Sequence, residues 1–367
     1  MPSKLIELMN RVRVTIQVEV SLGYEKAVAS TRKISDAIRQ AVRRTEDADQ
    51  AGRRMLGAGE SGARGTGTLD AVVEVHRPAF NRRYSNTNRV EYRPSDLPVF
   101  AGPPTREQVR QGQIGDCGLI AVIGAVGKHR PEAIQRAIRE RSDGTFDITF
   151  HNIEHLNDGT TLRPTGKTTT FRVSNELPHT RNGPPGPPIG ARSDDCSWPS
   201  LLEKAAAGED RAWDTVRHSI WDLRWRGLKP GVDSARRRKG LLLSSPSTPP
   251  LGYNRIGVGS SPAEEANLLA RITGEEAVVR DLPPGHRDLL SEVKGQLDSN
   301  KPVIVASRST VEGVDYPDGV YANHAYGVER VVGDKIELRN PWGYDHPEPM
   351  SPGTFLKLYH PVYTTLS

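Results

Sequence analysis

The sequence predicts an α+β protein, in which a helix-rich segment precedes a segment of antiparallel strands and a small extension lies at the N-terminus. Three observations carry this. The apolar stretch Ile120 to Val126 reads as the opening turns of a buried helix that begins at Cys117. Far downstream, Tyr321 to Val328 and Ile336 to Gly343 flank the polar turn Gly333-Asp334, the pattern of a hairpin of buried strands. The Gly-rich break from Gly57 to Gly67 sets off whatever precedes it as a separate piece.

In chain order, residues 1–60 form an N-terminal α or α/β extension. Val12, Val14, Ile16, Val18 and Val20 alternate with polar residues as in a strand, and Ile34, Ile38, Ala41 and Val42 recur at helical spacing. Residues 61–103 are a Gly-rich linker and an irregular arm rich in Arg and Asn, in a position to cover a downstream cleft. The third region, 104–367, opens on the helix at Cys117. Strands are expected at Asp143 to Ile148 and Thr168 to Val173, helices at 198–207 and 262–272, and strands again from Val303 through Arg339. No internal repeat is evident.

Composition excludes several classes. No stretch approaches the ~20 apolar residues needed to span a bilayer, and the N-terminus lacks the apolar core and cleavage site of a signal peptide. Mean hydropathy is -0.56, and 35 Gly with 28 Pro imply long loops. The two cysteines, Cys117 and Cys196, read as free thiols in a reducing compartment, cytoplasmic or reached by export without a classical signal peptide. Net charge is +5. The basic run Arg236 to Lys239 comes with no helix-turn-helix, zinc or RNP pattern, so no nucleic-acid partner is expected.

Chemistry concentrates in three places. Cys117, in Gln111-Gly-Gln-Ile-Gly-Asp-Cys117, stands at a helix start, where unpaired amides and the macrodipole favour thiolate and are expected to lower its pKa. Taken singly, Cys117 is a small buried hydrophobe, His324 a core histidine and Asn340 a turn residue. Together they have the makings of a nucleophile, its base and the group that orients the base. Imidazole can take the thiol proton and return it to a leaving amine, while the Asn carboxamide fixes the ring tautomer. Trp342 is suited to shield that hydrogen bond from water. Cys196 reads as structural.

These residues resemble the papain-like cysteine proteases of the calpain type. The resemblance rests on Gln111 to Cys117, on His324-Ala-Tyr326 and on Arg339-Asn-Pro-Trp-Gly343. It extends to Phe171 to Pro178, Trp198 to Ala205, Ser260 to Gly274 and Met350 to Tyr359, from about residue 90 to the C-terminus. It implies a two-lobed fold, one helical lobe and one antiparallel β lobe, with the site between them. It also implies a thiol endopeptidase that forms an acyl-enzyme on Cys117, with His324 as base, Asn340 as orienter and the Gln111 side-chain amide as oxyanion donor beside the Cys117 N–H.

The chain departs from the family pattern at several points. Gly118 stands where calpains commonly carry Trp, which is expected to leave an aromatic-sized space near the thiol; Asn323 stands where Gly usually precedes the histidine. Arg106, Glu107, Gln108 and Arg110 do not suit a calcium shell, so neither metal nor other cofactor is expected. The expected partners are a protein or peptide substrate and an immunity or inhibitor protein. The latter follows from the N-terminal piece, whose Leu22-Gly23-Tyr24 turn is similar to targeting modules of secreted bacterial effectors and points to an exported toxin. Two alternatives remain open: a transglutaminase-like acyl transferase using the same trio, and a binding module on an inactive protease fold.

Overall fold

In the computed structural model, residues 72–80, 90–156, 158, 160–180, 188–215, 217–226, 249–309 and 315–367 are described. The apolar stretch after Cys117 is helix α1 (Cys117–His129), in which every residue except Cys117 and Lys128 is buried. A helix that is apolar all round belongs inside a fold. The chain continues through α2 (Pro131–Ala137), α3 (Trp198–Ala207), α4 (Tyr253–Ile256), α5 (Pro262–Thr273), α6 (His286–Asp298) and α7 (Pro352–Leu358).

The fold is mixed α and β around a largely antiparallel sheet. Its strands are β1 (Val72–Glu74), β3 (Ile138–Glu140), β4 (Thr145–His155), β5 (Thr161–Ser174), β7 (Ala277–Asp281), β8 (Ile304–Ala306), β9 (Ala325–Val332), β10 (Lys335–Arg339) and β11 (Val362–Leu366). They run in the order β10-β9-β8-β11-β7-β5-β4-β3. Strand β1 joins β5 in the one parallel pairing among the described strands. A separate ribbon pairs β2 (Val90–Pro94) with β6 (Glu176–Thr180). Parts of the irregular arm are therefore strands built into the body. The backbone N–H of Tyr253 also donates to Ala79 O at 2.9 Å.

Two buried apolar clusters share this sheet. The first joins Val122 and Ile123 of α1 to Phe150, Phe171, Trp198, Leu202 and Leu269. The second gathers Leu289, Val293, Tyr326, Val328, Ile336, Leu338, Phe355 and Tyr359. Helix α1 packs against both α5 and β9 and so bridges them. A β-bulge fastens the contact. Pairing passes from Glu337↔Arg330 to Leu338↔Val328, leaving Glu329 as the extra residue. Its carboxylate meets Lys128 of α1 and the buried Arg106.

Local sequence sets the helix that supports α1. Ser261 caps α5, and Glu264 reaches back so that the Ser261 N–H donates to its carboxylate at 2.8 Å, the reciprocal arrangement of a capping box. Pro262 occupies the first turn, and Gly274 ends the helix at φ 73, where its Cα lies against the His151 ring. The helices expected at 198–207 and 262–272 are present; the strand expected from Asp143 begins at Thr145 and runs on to His155, and the one expected at Thr168 to Val173 spans Thr161 to Ser174. The N-terminal strand and helix, the Leu22-Gly23-Tyr24 turn, the break at Gly57 to Gly67 and the run Arg236 to Lys239 lie outside the described residues. Among the described residues no helix is long and apolar enough to cross a membrane.

Replacing Ser261 by Ala removes one half of the cap and should lower unfolding free energy by about 1 kcal/mol. Gly274→Ala should cost at least as much, because it forces a side chain into a left-handed position against His151. Urea unfolding of the two variants measures both.

Candidate active site

The hairpin brings His324 and Asn340 together by simple topology. In an antiparallel pair the start of one strand meets the end of the next, and Arg339 pairs with Gly327. His324 directly precedes β9 and Asn340 directly follows β10, so the two side chains converge at one end of the ribbon. His324 Nε2 lies 2.9 Å from Asn340 Oδ1.

The surroundings of Asn340 decide which ring nitrogen carries the proton. Asn340 is fully buried. Its Oδ1 also accepts the Trp342 backbone N–H at 3.1 Å, and its Nδ2 donates to the Asp345 carbonyl at 3.1 Å. Neither contact tolerates a flipped amide, because a backbone N–H needs an acceptor and a carbonyl needs a donor. Oδ1 therefore faces the imidazole, Nε2 must donate, and the lone pair belongs to Nδ1.

The main chain holds the ring from behind. The His324 N–H donates to Ser307 Oγ at 3.0 Å, and the His324 carbonyl accepts the Ser307 N–H at 2.9 Å. Trp342 and Tyr326 pack on the ring, each with its centroid at 4.9 Å. The preceding residue, Asn323, takes φ 54, a left-handed conformation that Asn tolerates better than most residues other than Gly. That accounts for Asn at a position where the calpain pattern has Gly. Burial lowers the His324 pKa, opposed by the Asn340 hydrogen bond, so the ring is neutral at pH 7.

Cys117 enters from the other side. A cleft of about 530 Å³ is lined by Gln111, Cys117, Arg192, Asn323, His324, Trp342 and Tyr344. The Cys117 thiol contacts the backbone N–H of Ala325, the residue after His324. The two loops are also tied directly, because the Gln111 N–H donates to Pro341 O at 2.8 Å. None of the described residues of the arm lines the cleft.

The expectation of a lowered Cys117 pKa is overturned. Burial pushes the thiol up to about 12, and the charges of Glu265 and Asp116 act in the same direction against the amides of Ala325 and Gly118. Thiol and imidazole are therefore both neutral near pH 7.

The expectation of an open space at Gly118 is overturned too. A Cβ there would run into Ser260 Oγ and a Glu265 carboxyl oxygen, so neighbouring side chains already fill the volume. Glu265 is 3% exposed and accepts from Ser260 Oγ at 3.1 Å; burial raises its pKa to about 7.

Gln111 is buried beside the thiol. Its Nε2 donates to Ile114 O at 2.6 Å and approaches Asp116 Oδ1 at 3.4 Å. The Ile114 carbonyl fixes which end of the amide is nitrogen, and Gln111 Oε1 is buried without a hydrogen-bond partner. Asp116 lies against Glu203, and burial raises both pKa values, that of Asp116 to about 7, so the pair shares a proton beneath Gln111. Cys196 is buried, desolvation pushes its thiol up to about 12, and it donates to Ser193 Oγ at 3.3 Å. Ser307, Glu265 and the Asp116–Glu203 pair are absent from the sequence-level site. Asp116, Glu203 and Glu265 each lie within a segment the resemblance covers, Gln111 to Cys117, Trp198 to Ala205 and Ser260 to Gly274, whereas Ser307 does not. Among the described residues no cluster of His, Cys, Asp and Glu could hold a metal ion. No family model matches the chain, and no curated protein matches it.

The Glu265 carboxyl keeps its proton to about pH 7 when native but loses it near 4.5 when unfolded. Stability is thus lost as pH rises across that window. Glu265→Gln should shrink the loss between about pH 5 and about pH 8 by on the order of 2 kcal/mol, measured by urea unfolding at both pH values.

Proposed function

We propose that the chain is a thiol endopeptidase of the calpain type, with a papain-like two-lobed fold whose lobes correspond to the two buried clusters. The observation that carries this reading is the hydrogen bonding of Asn340, which leaves the His324 Nδ1 lone pair for the cleft that Cys117 lines. That arrangement is what a nucleophile and its general base require.

In the proposed reaction, Cys117 Sγ attacks the carbonyl carbon of a peptide bond while its proton passes to His324 Nδ1. The resulting oxyanion meets two donors: the Cys117 N–H, an orphan amide at the first residue of α1, and the Gln111 side-chain amide, which rotates from Ile114 O and Asp116 toward the cleft. Collapse of the intermediate breaks the C–N bond, and the imidazolium gives its proton to the leaving amine. Water then attacks the thioester with His324 as base, regenerating the thiol. Asn340 stabilises the imidazolium and holds its plane, and Trp342 keeps water from their hydrogen bond.

Cys117→Ala and His324→Ala should abolish cleavage of a labelled protein substrate, whereas Asn340→Ala should reduce it and Cys196→Ala should leave it unchanged. Retained cleavage in Cys117→Ala, or ammonia release from glutamine peptides in place of new peptide termini, would count against the reading.

A further inference from the structure

Arg192 lines the same cleft as Cys117 and stands on a fixed stretch of main chain. Its N–H donates to Arg110 O at 2.9 Å and its carbonyl accepts the Arg110 N–H at 3.0 Å, one residue before Gln111. The preceding Ala191 is fully buried, and its carbonyl accepts from Ser200 Oγ at 2.6 Å. The backbone is thus held by bonds that do not involve the Arg192 side chain, which is half-buried and lines the cleft with Cys117 and His324.

The anions near Arg192 in sequence are engaged elsewhere. Asp194 pairs with Arg110 at 2.7 Å. Asp195 accepts from Ser193 Oγ at 2.7 Å and from Gln108 Nε2 at 3.4 Å. Among the described residues no carboxylate pairs with the Arg192 guanidinium, and no Asp or Glu lines the cleft. The carboxyls packed beneath the floor, Asp116, Glu203 and Glu265, are buried and hold protons well above the usual carboxylate range. The cleft therefore presents one permanent positive charge with no anion of its own to neutralise it. A guanidinium there offers a planar fork matched to a carboxylate, partly shielded from solvent.

We propose that Arg192 is a specificity-determining residue that reads a carboxylate on the bound peptide, so that the enzyme prefers protein segments with Asp or Glu within a few residues of the cleaved bond. This rests on the thiol-peptidase reading of the same cleft.

The test is to digest a mixed peptide library with the full chain and map the cleavage sites by mass spectrometry, for wild type, Arg192→Gln and Arg192→Glu. Alkylation of Cys117 by iodoacetamide in each variant reports an intact site. At one position near the cut, wild type should favour Glu over Gln by about tenfold, equivalent to about 1.4 kcal/mol. Added salt should weaken the bias. Arg192→Gln should lose it, and Arg192→Glu should favour Lys and Arg at that position instead. Cleavage by wild type without acidic bias, or the same bias in Arg192→Gln, would overturn the assignment of Arg192 and leave the peptidase reading standing. Absence of cleavage by wild type with Cys117 alkylated normally would overturn both.

Discussion

The chemistry of the cleft depends on one buried carboxamide. Asn340 has no access to solvent, and its side chain is bonded on both faces: Oδ1 to the Trp342 N–H and the His324 ring, Nδ2 to the Asp345 carbonyl. An unpaired polar atom at such depth costs about 1–3 kcal/mol, so each bond constrains the others. The amide cannot turn over without leaving a donor facing a donor. The imidazole inherits that orientation, and with it the identity of the nitrogen left free of Asn340. A hairpin turn between β9 and β10 thus sets the protonation state of a group that a distant helix must approach.

Helix α1 makes the approach. It is buried on all sides, so its axis is fixed by packing against α5 and β9, and Cys117 at its tip has little freedom. Two polar ties hold the tip and the hairpin in register. The Gln111 N–H bonds Pro341 O, and the bulged Glu329 gathers Arg106 and Lys128. The same burial that fixes the thiol also keeps it neutral, and the carboxyls around it reinforce that state. No thiolate pre-exists at the helix terminus near neutral pH. Helix amides do favour a thiolate, but here desolvation outweighs them.

Much of this was legible in the sequence because it is periodic or local. The apolar run behind Cys117 gave a buried helix, and the two runs about Gly333-Asp334 gave the hairpin whose ends carry His324 and Asn340. The helix expected at 262–272 is present as α5. Strands β7 and β11 and helix α6 were not anticipated, since strands of five residues and a helix with only Leu289 and Val293 buried leave weak patterns. The filling of the volume at Gly118 could not be foreseen either. It depends on Ser260 and Glu265, more than a hundred residues away, and only the folded chain brings them to the thiol. Burial of Asp116 against Glu203 is hidden for the same reason.

The proposed thiol chemistry requires the imidazole of His324 to carry its proton on Nε2 and to turn Nδ1 toward Cys117. Nitrogen NMR of the protein labelled with ¹⁵N-histidine, near neutral pH, measures this directly. A protonated Nε2 and a bare Nδ1 whose resonance moves when Cys117 is alkylated is the expected result. A proton on Nδ1, or a resonance indifferent to Cys117, would contradict it.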